Sequence, residues 1–182
     1  GGASLLRAEQ RRPRTFAGLY CFEPIVLTTE ARRASAAAGG EQPLAVGARR
    51  RREVFDSLDA AYENFASKPP LQSLDPEALR AYVDHGFEQL PDGTVRLKCR
   101  GVDEAAVYTA SVAHDTYDHL HLVTCPVTVA VSGDLEGAGR LARPVADALP
   151  NARFEDHPEL GHFGPLEAPA VIAERIRATF LA

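Results

Sequence analysis

The sequence lacks several features that would assign it to a class of protein at once. It has no methionine and no tryptophan, and its three cysteines (Cys21, Cys99 and Cys125) include no CxxC pair. Three scattered cysteines argue against a disulfide framework or a structural zinc site and favour a reducing compartment. No apolar run approaches the roughly 20 residues that span a bilayer. We therefore expect a cytoplasmic protein without a membrane segment.

An excess of positive charge is missing as well. Lysine and arginine number 20 against 25 acidic residues, which gives a net charge of −5 and a pI near 5.7. Neither nucleic acid nor anionic lipid is expected as a partner. The run Arg49–Arg52 does not change this expectation, because carboxylates follow it closely and pair with arginine on helix surfaces. The 182 residues, 45% of them hydrophobic, suit one domain or a core with one insertion.

Strand-like and helix-like segments alternate along the chain, which is typical of an α/β fold. Helices are predicted over 3–12, 139–149 and 169–181. Strands are predicted over 15–22, 123–132 and 152–156. The first strand is apolar without alternation, as in parallel sheets that are covered on both faces.

The character of the sequence changes between about residues 28 and 109. Helical patterns occupy 57–66 and 75–85, and the second of these begins with Asp75 as a cap and Pro76 at the first helical position. We predict a core formed by residues 1–27 and 110–182, with residues 28–109 inserted as a mainly helical cap or lid. Its aromatic residues are candidates for lining a cleft, although such residues more often form a core: Phe55, Tyr62, Phe65 and Phe87.

The stretch from Leu160 to Pro169 carries the most chemical information. His162 directly follows Gly161, in a predicted loop between a strand and the last helix. An imidazole in such a loop can lie above the strand ends, where a general base for a nucleophile is needed. The stretch resembles the histidine loop of α/β-hydrolases, in which Gly-His is followed by Glu-x-Pro and the last helix. The resemblance predicts that His162 is the catalytic histidine.

The start of the chain resembles the same family. The family's nucleophile elbow is G-x-S-x-G, often with a further glycine, at a sharp turn from a strand into a helix. Gly1 and Gly2 precede a predicted helix and look like the last two glycines of this motif. We therefore expect the chain to be the C-terminal part of an α/β-hydrolase fold, with a mostly parallel sheet and helices on both faces. The nucleophile is then expected two residues before Gly1, outside this chain.

The resemblance leaves two positions open for the acid that orients His162. In most of the family the acid follows the penultimate strand, commonly three residues after a glycine, and Gly133 places Glu136 there, with Asp134 as a weaker candidate. Some relatives instead carry the acid after the strand that follows the nucleophile helix. That position corresponds to Glu23, and a carboxylate at the end of a buried strand needs a partner.

The resemblance implies a cofactor-independent hydrolase that acts on an ester-like small molecule, with serine as the expected nucleophile. The chain alone is expected to be inactive and poorly soluble, because its first strand would have a bare edge. One rival is a non-catalytic binding protein on the same fold. The other is a metal-dependent hydrolase using a cluster with paired i, i+4 spacings: His114, Asp115, Asp118, His119 and His121. No recognised metal-ligand spacing occurs there, so surface solvation explains the cluster more simply.

Overall fold

The computed structural model describes residues 1–181. Along these residues the α-helices and β-strands follow one another in this order: α1 (Gly2–Arg11), β1 (Leu19–Phe22), α2 (Thr29–Ala38), α3 (Pro43–Arg50), β2 (Val54–Phe55), α4 (Leu58–Ala66), α5 (Pro76–Gly86), β3 (Phe87–Gln89), β4 (Val95–Leu97), α6 (Gly101–Ser111), β5 (Val127–Ser132), α7 (Ala142–Ala148), β6 (Ala152–His157), α8 (Gly164–Glu167) and α9 (Pro169–Phe180). Short 3₁₀ turns cover Leu71–Ser73, Thr116–Leu122 and Ala138–Leu141.

The chain divides into two compact units. The first unit comprises residues 1–39, 111–165 and 170–181, and the second comprises residues 40–110 and 166–169. Residues 28–39 therefore lie with the first unit, although the sequence analysis grouped them with the insertion. The physical reason is a local contact, since Thr29 and Arg32 of α2 both bond to the Asp118 carboxylate. The function of the insertion as a cap stays a prediction.

The first unit is built on a parallel sheet with the strand order β1-β5-β6. The central strand β5 is buried at every position, which accounts for its unbroken run of β-branched and small residues. One face of the sheet packs against α1 and α7 and forms the apolar core: Leu6, Leu19, Cys21, Val127, Val129, Val131 and Val145. The other face, which lies toward α9, carries polar side chains from β1 and β6.

The second unit holds a small antiparallel sheet with the strand order β2-β4-β3. Asp75 caps α5 as predicted, because its carboxylate accepts the backbone N–H groups of Glu77 and Ala78. The core contains Phe55 and Phe87, which are 1% and 5% exposed and whose ring centroids lie 5.7 Å apart. These two rings are therefore part of the core of the unit, the more common situation for such residues.

The expected α/β class, the parallel sheet and the helices on both of its faces are confirmed. The core elements appear where the sequence predicted them, although β1 and β5 begin four residues later than expected. The small sheet of the second unit was not predicted as a sheet, but the unit is mainly helical, as expected, with α3, α4, α5 and α6. No helix among residues 1–181 is both long and apolar enough to cross a membrane.

Candidate active site

A buried carboxylate lies at the carboxyl end of β1. Glu23 is 4% exposed, and its backbone N–H donates to the carbonyl of Ala130 at 2.9 Å, so the residue continues the ladder with β5. Its φ angle is 41°, in the left-handed region that non-glycine residues rarely adopt. Such backbone strain persists where the surrounding structure holds it, and it is common at functional sites.

The carboxylate of Glu23 joins the ends of two strands to the loop that carries His162. Its Oε1 atom accepts the backbone N–H of Ser132, the last residue of β5, at 2.9 Å. Its Oε2 atom lies 2.5 Å from Nδ1 of His162. A carboxylate accepts hydrogen bonds, so Nδ1 of His162 carries the proton and Nε2 is the nitrogen left to take one. The His162 side chain is 43% exposed, and the Glu23 side chain is 1% exposed.

Backbone hydrogen bonds hold the histidine loop, residues 158–163, against the ends of β5 and β6. The Leu160 N–H donates to the His157 carbonyl, and the Leu160 carbonyl accepts the N–H of Gly133, both at 3.0 Å. The N–H of Gly164 donates to the Gly161 carbonyl, also at 3.0 Å, and starts α8. The loop is therefore fixed on both sides of His162.

Glycine at position 164 allows α8 to approach the sheet closely. A Cβ atom at this position would lie 2.6 Å from the ring of Phe22 and 3.1 Å from a methyl group of Leu160. Phe22 directly precedes Glu23 in the chain. The end of β1 therefore supplies two groups: the Glu23 carboxylate, which binds His162, and the Phe22 ring, which packs against Gly164.

The beginning of α1 approaches the same strand end. A Cβ atom at Gly2 would lie 2.9 Å from Cβ of Pro24 and 3.6 Å from Cβ of Cys21. Such contact requires glycine, as the elbow motif predicted for a helix that packs closely on its sheet. The amino-terminal end of α1 thus lies beside the residues that flank Glu23.

The other two candidate acids are differently placed. Glu136 is exposed, and its carboxylate has no hydrogen bond to a side chain among residues 1–181. The Asp134 carboxylate instead accepts the backbone N–H groups of Glu136 and Gly137 and so closes its own turn. Of the candidate acids, the structure brings Glu23 to His162. Their catalytic roles stay predictions.

The cluster at residues 114–121 lies in and beside the 3₁₀ turn that precedes β5. His119 bonds to the Asp115 carbonyl, and its ring is stacked at 6.4 Å on that of His121. Asp118 pairs with Arg32 of α2. Within residues 1–181 no group of three or more His, Cys, Asp or Glu side chains is arranged to hold a metal ion. Burial, aided by the nearby charge of Arg7, lowers the pKa of His114.

A second polar cluster, on the polar face of the sheet, was not predicted from the sequence. His157 is 2% exposed, and its Nε2 atom lies 2.9 Å from Oε1 of Glu155 and 3.2 Å from the hydroxyl of Tyr20. Burial and the Glu155 charge raise the pKa of Tyr20, which keeps its hydroxyl protonated as a donor. The sequence does contain one indication of this cluster: Glu155 and His157 are two residues apart at the end of a predicted strand, which places both side chains on one face.

The arginine run forms local contacts in the second unit. Arg49 pairs with Glu41, and Arg51 bonds to Glu104 at 2.5 Å and to the hydroxyl of Tyr82 at 3.3 Å. Burial lowers the pKa of Arg51, but the bonds to Glu104 and Tyr82 outweigh it and raise the pKa overall. Arg49 and Arg51 do pair with carboxylates, but the prediction was wrong about the partners, because neither Glu41 nor Glu104 is among the carboxylates that closely follow the run.

No protein-family model and no curated protein matches the sequence. Solved structures do resemble it. The peroxisomal alpha-beta-hydrolase Lpx1 from Saccharomyces cerevisiae has a TM-score of 0.79 at 19% identity, over 98% of this chain and 49% of that chain. E-2-(Acetamidomethylene)succinate hydrolase has a TM-score of 0.72 at 19% identity, over 98% of this chain and 62% of that chain.

The esterase Rv0045c from Mycobacterium tuberculosis is also similar, with a TM-score of 0.69 at 18% identity, over 100% of this chain and 60% of that chain. The chain thus spans about half to three fifths of the length of these structures. Their identities are low, so the likeness concerns the fold. Together with the parallel sheet, it shows that this chain has the α/β-hydrolase fold and spans part of it.

Proposed function

We propose that this chain supplies the histidine and the acid of a nucleophile–histidine–acid triad in a hydrolase for ester-like small molecules. The observation that supports the proposal is the 2.5 Å contact between Nδ1 of His162 and the buried carboxylate of Glu23. A carboxylate in this position fixes the tautomer of the imidazole and stabilises the imidazolium that forms during the reaction. The structurally similar proteins include an esterase and other hydrolases, which agrees with this chemistry.

In the proposed reaction the nucleophile is a serine that we expect two residues before Gly1, where the elbow motif would place it. Its hydroxyl oxygen attacks the carbonyl carbon, and its proton passes to Nε2 of His162. The imidazolium then gives this proton to the leaving alcohol, and an acyl-enzyme remains. Water attacks the acyl group, its proton passes to Nε2, and His162 returns that proton to the nucleophile as the acid product leaves.

The choice between the two candidate acids is tested by a matched pair of substitutions in the full-length protein. Glu23→Gln keeps the shape but removes the negative charge that accepts the Nδ1–H hydrogen bond, while Glu136→Gln makes the same change on an exposed loop. We expect Glu23→Gln to lower kcat for a 4-nitrophenyl ester by on the order of 10⁴-fold, as for acid-to-amide changes in such triads. Glu136→Gln should change kcat by less than about twofold.

The reverse result, with Glu136→Gln inactive and Glu23→Gln active, would reassign the acid. Labelling with a fluorophosphonate tests the proposal as a whole. Full-length protein that is neither labelled nor active on esters, while it still binds small molecules, would support the non-catalytic binding protein instead. Full-length protein in which His162→Ala abolishes labelling would support the triad.

A further inference from the structure

A second histidine, which unlike His162 is buried, lies at the base of the histidine loop. His157 is the last residue of β6, and its carbonyl accepts the N–H of Leu160 at 3.0 Å, which forms the turn leading to His162. Its side chain is 2% exposed. A buried polar ring at the end of a strand is costly unless its nitrogens are bonded.

Both nitrogens of His157 face polar groups. Nε2 lies 2.9 Å from the Glu155 carboxylate and 3.2 Å from the Tyr20 hydroxyl, and Nδ1 lies 3.5 Å from the Glu159 carboxylate. The Tyr20 hydroxyl also donates to Glu155 at 3.3 Å, which closes a triangle between β1 and β6 across the central strand. The ring orientation of His157 is therefore set by groups from both outer strands of the sheet.

Glu155 is the centre of this network. Its side chain is 12% exposed, and Arg153 and Arg175 lie 3.9 Å and 3.8 Å from its carboxylate. Arg175 belongs to α9, so the network links the last helix to the sheet as well. A hydrogen-bonded network of this kind is stiff because each bond polarises the next and an unpaired member would be costly to bury.

The ring of Phe22 connects this network to the candidate active site. The ring centroids of Phe22 and His157 lie 6.1 Å apart, and the Cζ atom of Phe22 packs against Gly164, where α8 starts. Glu23, the partner of His162, is the next residue along the chain. Phe22 is therefore a neighbour of the His157 ring, of Gly164 and, along the chain, of Glu23.

We propose that His157, held by Glu155 and Tyr20, is a positioning residue that keeps His162 aligned with Glu23. Only the kinetic test of this proposal rests on the proposed function. The bond between His162 and Glu23 exists with or without a nucleophile. Displacement of a catalytic group by about 1 Å can lower the rate by on the order of 100-fold, so a remote positioning residue has a measurable effect.

The decisive readout is the Nδ1 proton of His162, observed by NMR in the full-length protein. An Nδ1 proton that is hydrogen-bonded to a buried carboxylate is protected from exchange with water, and Glu23→Gln identifies its signal. We expect His157→Leu to broaden or shift this signal and His157→Gln to preserve it, because the glutamine amide can replace the Nε2 donor. His119→Leu is the matched control on an exposed histidine and should leave the signal unchanged.

Kinetics provide the second readout. In active full-length protein, His157→Leu should lower kcat by on the order of 10- to 100-fold with little change in KM, and His157→Gln should restore most of it. A purely structural role would lower the melting temperature while leaving both the Nδ1 signal and the kcat of the folded protein unchanged. That result would overturn the proposal.

A milder variant keeps the test valid if His157→Leu does not fold. Tyr20→Phe removes one hydroxyl from the triangle and keeps the ring, and it should shift the Nδ1 signal in the same direction by a smaller amount. An unchanged signal in Tyr20→Phe would overturn the proposal. A wild-type protein that shows the Nδ1 signal but no hydrolysis would contradict the proposed function alone, whereas an unaltered signal in His157→Leu would contradict the positioning role alone.

Discussion

Glu9 is a buried carboxylate that accepts hydrogen bonds from backbone groups a few residues further along the chain. It lies in α1 with 0% of its surface exposed, and its two oxygens accept the backbone N–H groups of Arg14, Thr15 and Phe16 at 2.6, 3.0 and 3.1 Å. Arg14 has a φ angle of 68°, so this carboxylate stabilises a strained turn between α1 and β1. The turn fixes the direction in which β1 enters the sheet and approaches its end at Glu23.

We predict that Glu9→Gln lowers the free energy of unfolding by about 1–3 kcal/mol, because the amide oxygen replaces one acceptor and the amide NH₂ group faces backbone donors. Urea unfolding at neutral pH measures the change. Glu174→Gln, on the exposed surface of α9, is the matched control and should stay within about 0.5 kcal/mol of wild type. Equal stabilities of the two variants would show that the Glu9 bonds contribute little.

At the residue scale, His162 could be predicted because its flanking sequence is local and specific. The acid could not be chosen, because Glu23 and Glu136 follow the ends of adjacent strands and sequence does not reveal which carboxylate turns inward. Glu23 also has a left-handed backbone, and a non-glycine residue with positive φ leaves no trace in sequence. His157 was missed because its partner Tyr20 is 137 residues away.

The thiol of Cys21, on the buried face of β1, has a raised pKa. Cys21 is 1% exposed, and burial, followed by the nearby Cys125, raises the pKa of its thiol from its ordinary 9.0 to about 11. Below pH 9 the thiol is protonated in both the folded and the unfolded chain, so its full contribution to stability is present. Above pH 9 the unfolded chain ionises first, and stability is lost as the pH rises toward 11.

We predict that the difference in unfolding free energy between wild type and Cys21→Ala falls by about 2–3 kcal/mol from pH 8.5 to pH 11, since each pH unit between the two pKa values corresponds to about 1.4 kcal/mol. Denaturant unfolding across this range measures it. Subtraction of the variant removes the lysine and tyrosine titrations that both proteins share. Cys99→Ala, at an exposed thiol, should show no such pH-dependent difference. A constant difference for Cys21→Ala would contradict the buried-thiol account.

At the element scale, prediction succeeded where an element is long and its pattern is continuous. The strand β5, with three valines at alternate positions, and the helix α5, with its Asp75 cap, appeared where expected. The strands β2, β3 and β4 contain two or three residues each, too few to establish an alternation. They exist because they pair with one another, and pairing between separate segments is tertiary information.

At the scale of the whole molecule, the parallel sheet ends at β1. The N–H of Leu19 bonds to Pro126, just before β5, and that of Glu23 bonds to Ala130 of β5. By the alternation of a strand, the N–H groups of Tyr20 and Phe22 therefore point to the opposite edge. Edges of this kind pair readily with other chains unless they are covered. This chain spans about half to three fifths of the length of the similar structures.

We therefore predict that the 182-residue chain, expressed alone, self-associates through β1, while full-length protein does not. Size-exclusion chromatography with light scattering measures the association, and hydrogen exchange locates it. The amides of Tyr20 and Phe22 should exchange rapidly in any monomeric fraction of the short chain and be protected in full-length protein, where a neighbouring strand accepts their bonds. The amides of β5 serve as the internal control, since β5 is paired on both sides. A short chain that is monomeric, melts in one sharp transition and protects Tyr20 and Phe22 would show that the edge at β1 is already covered.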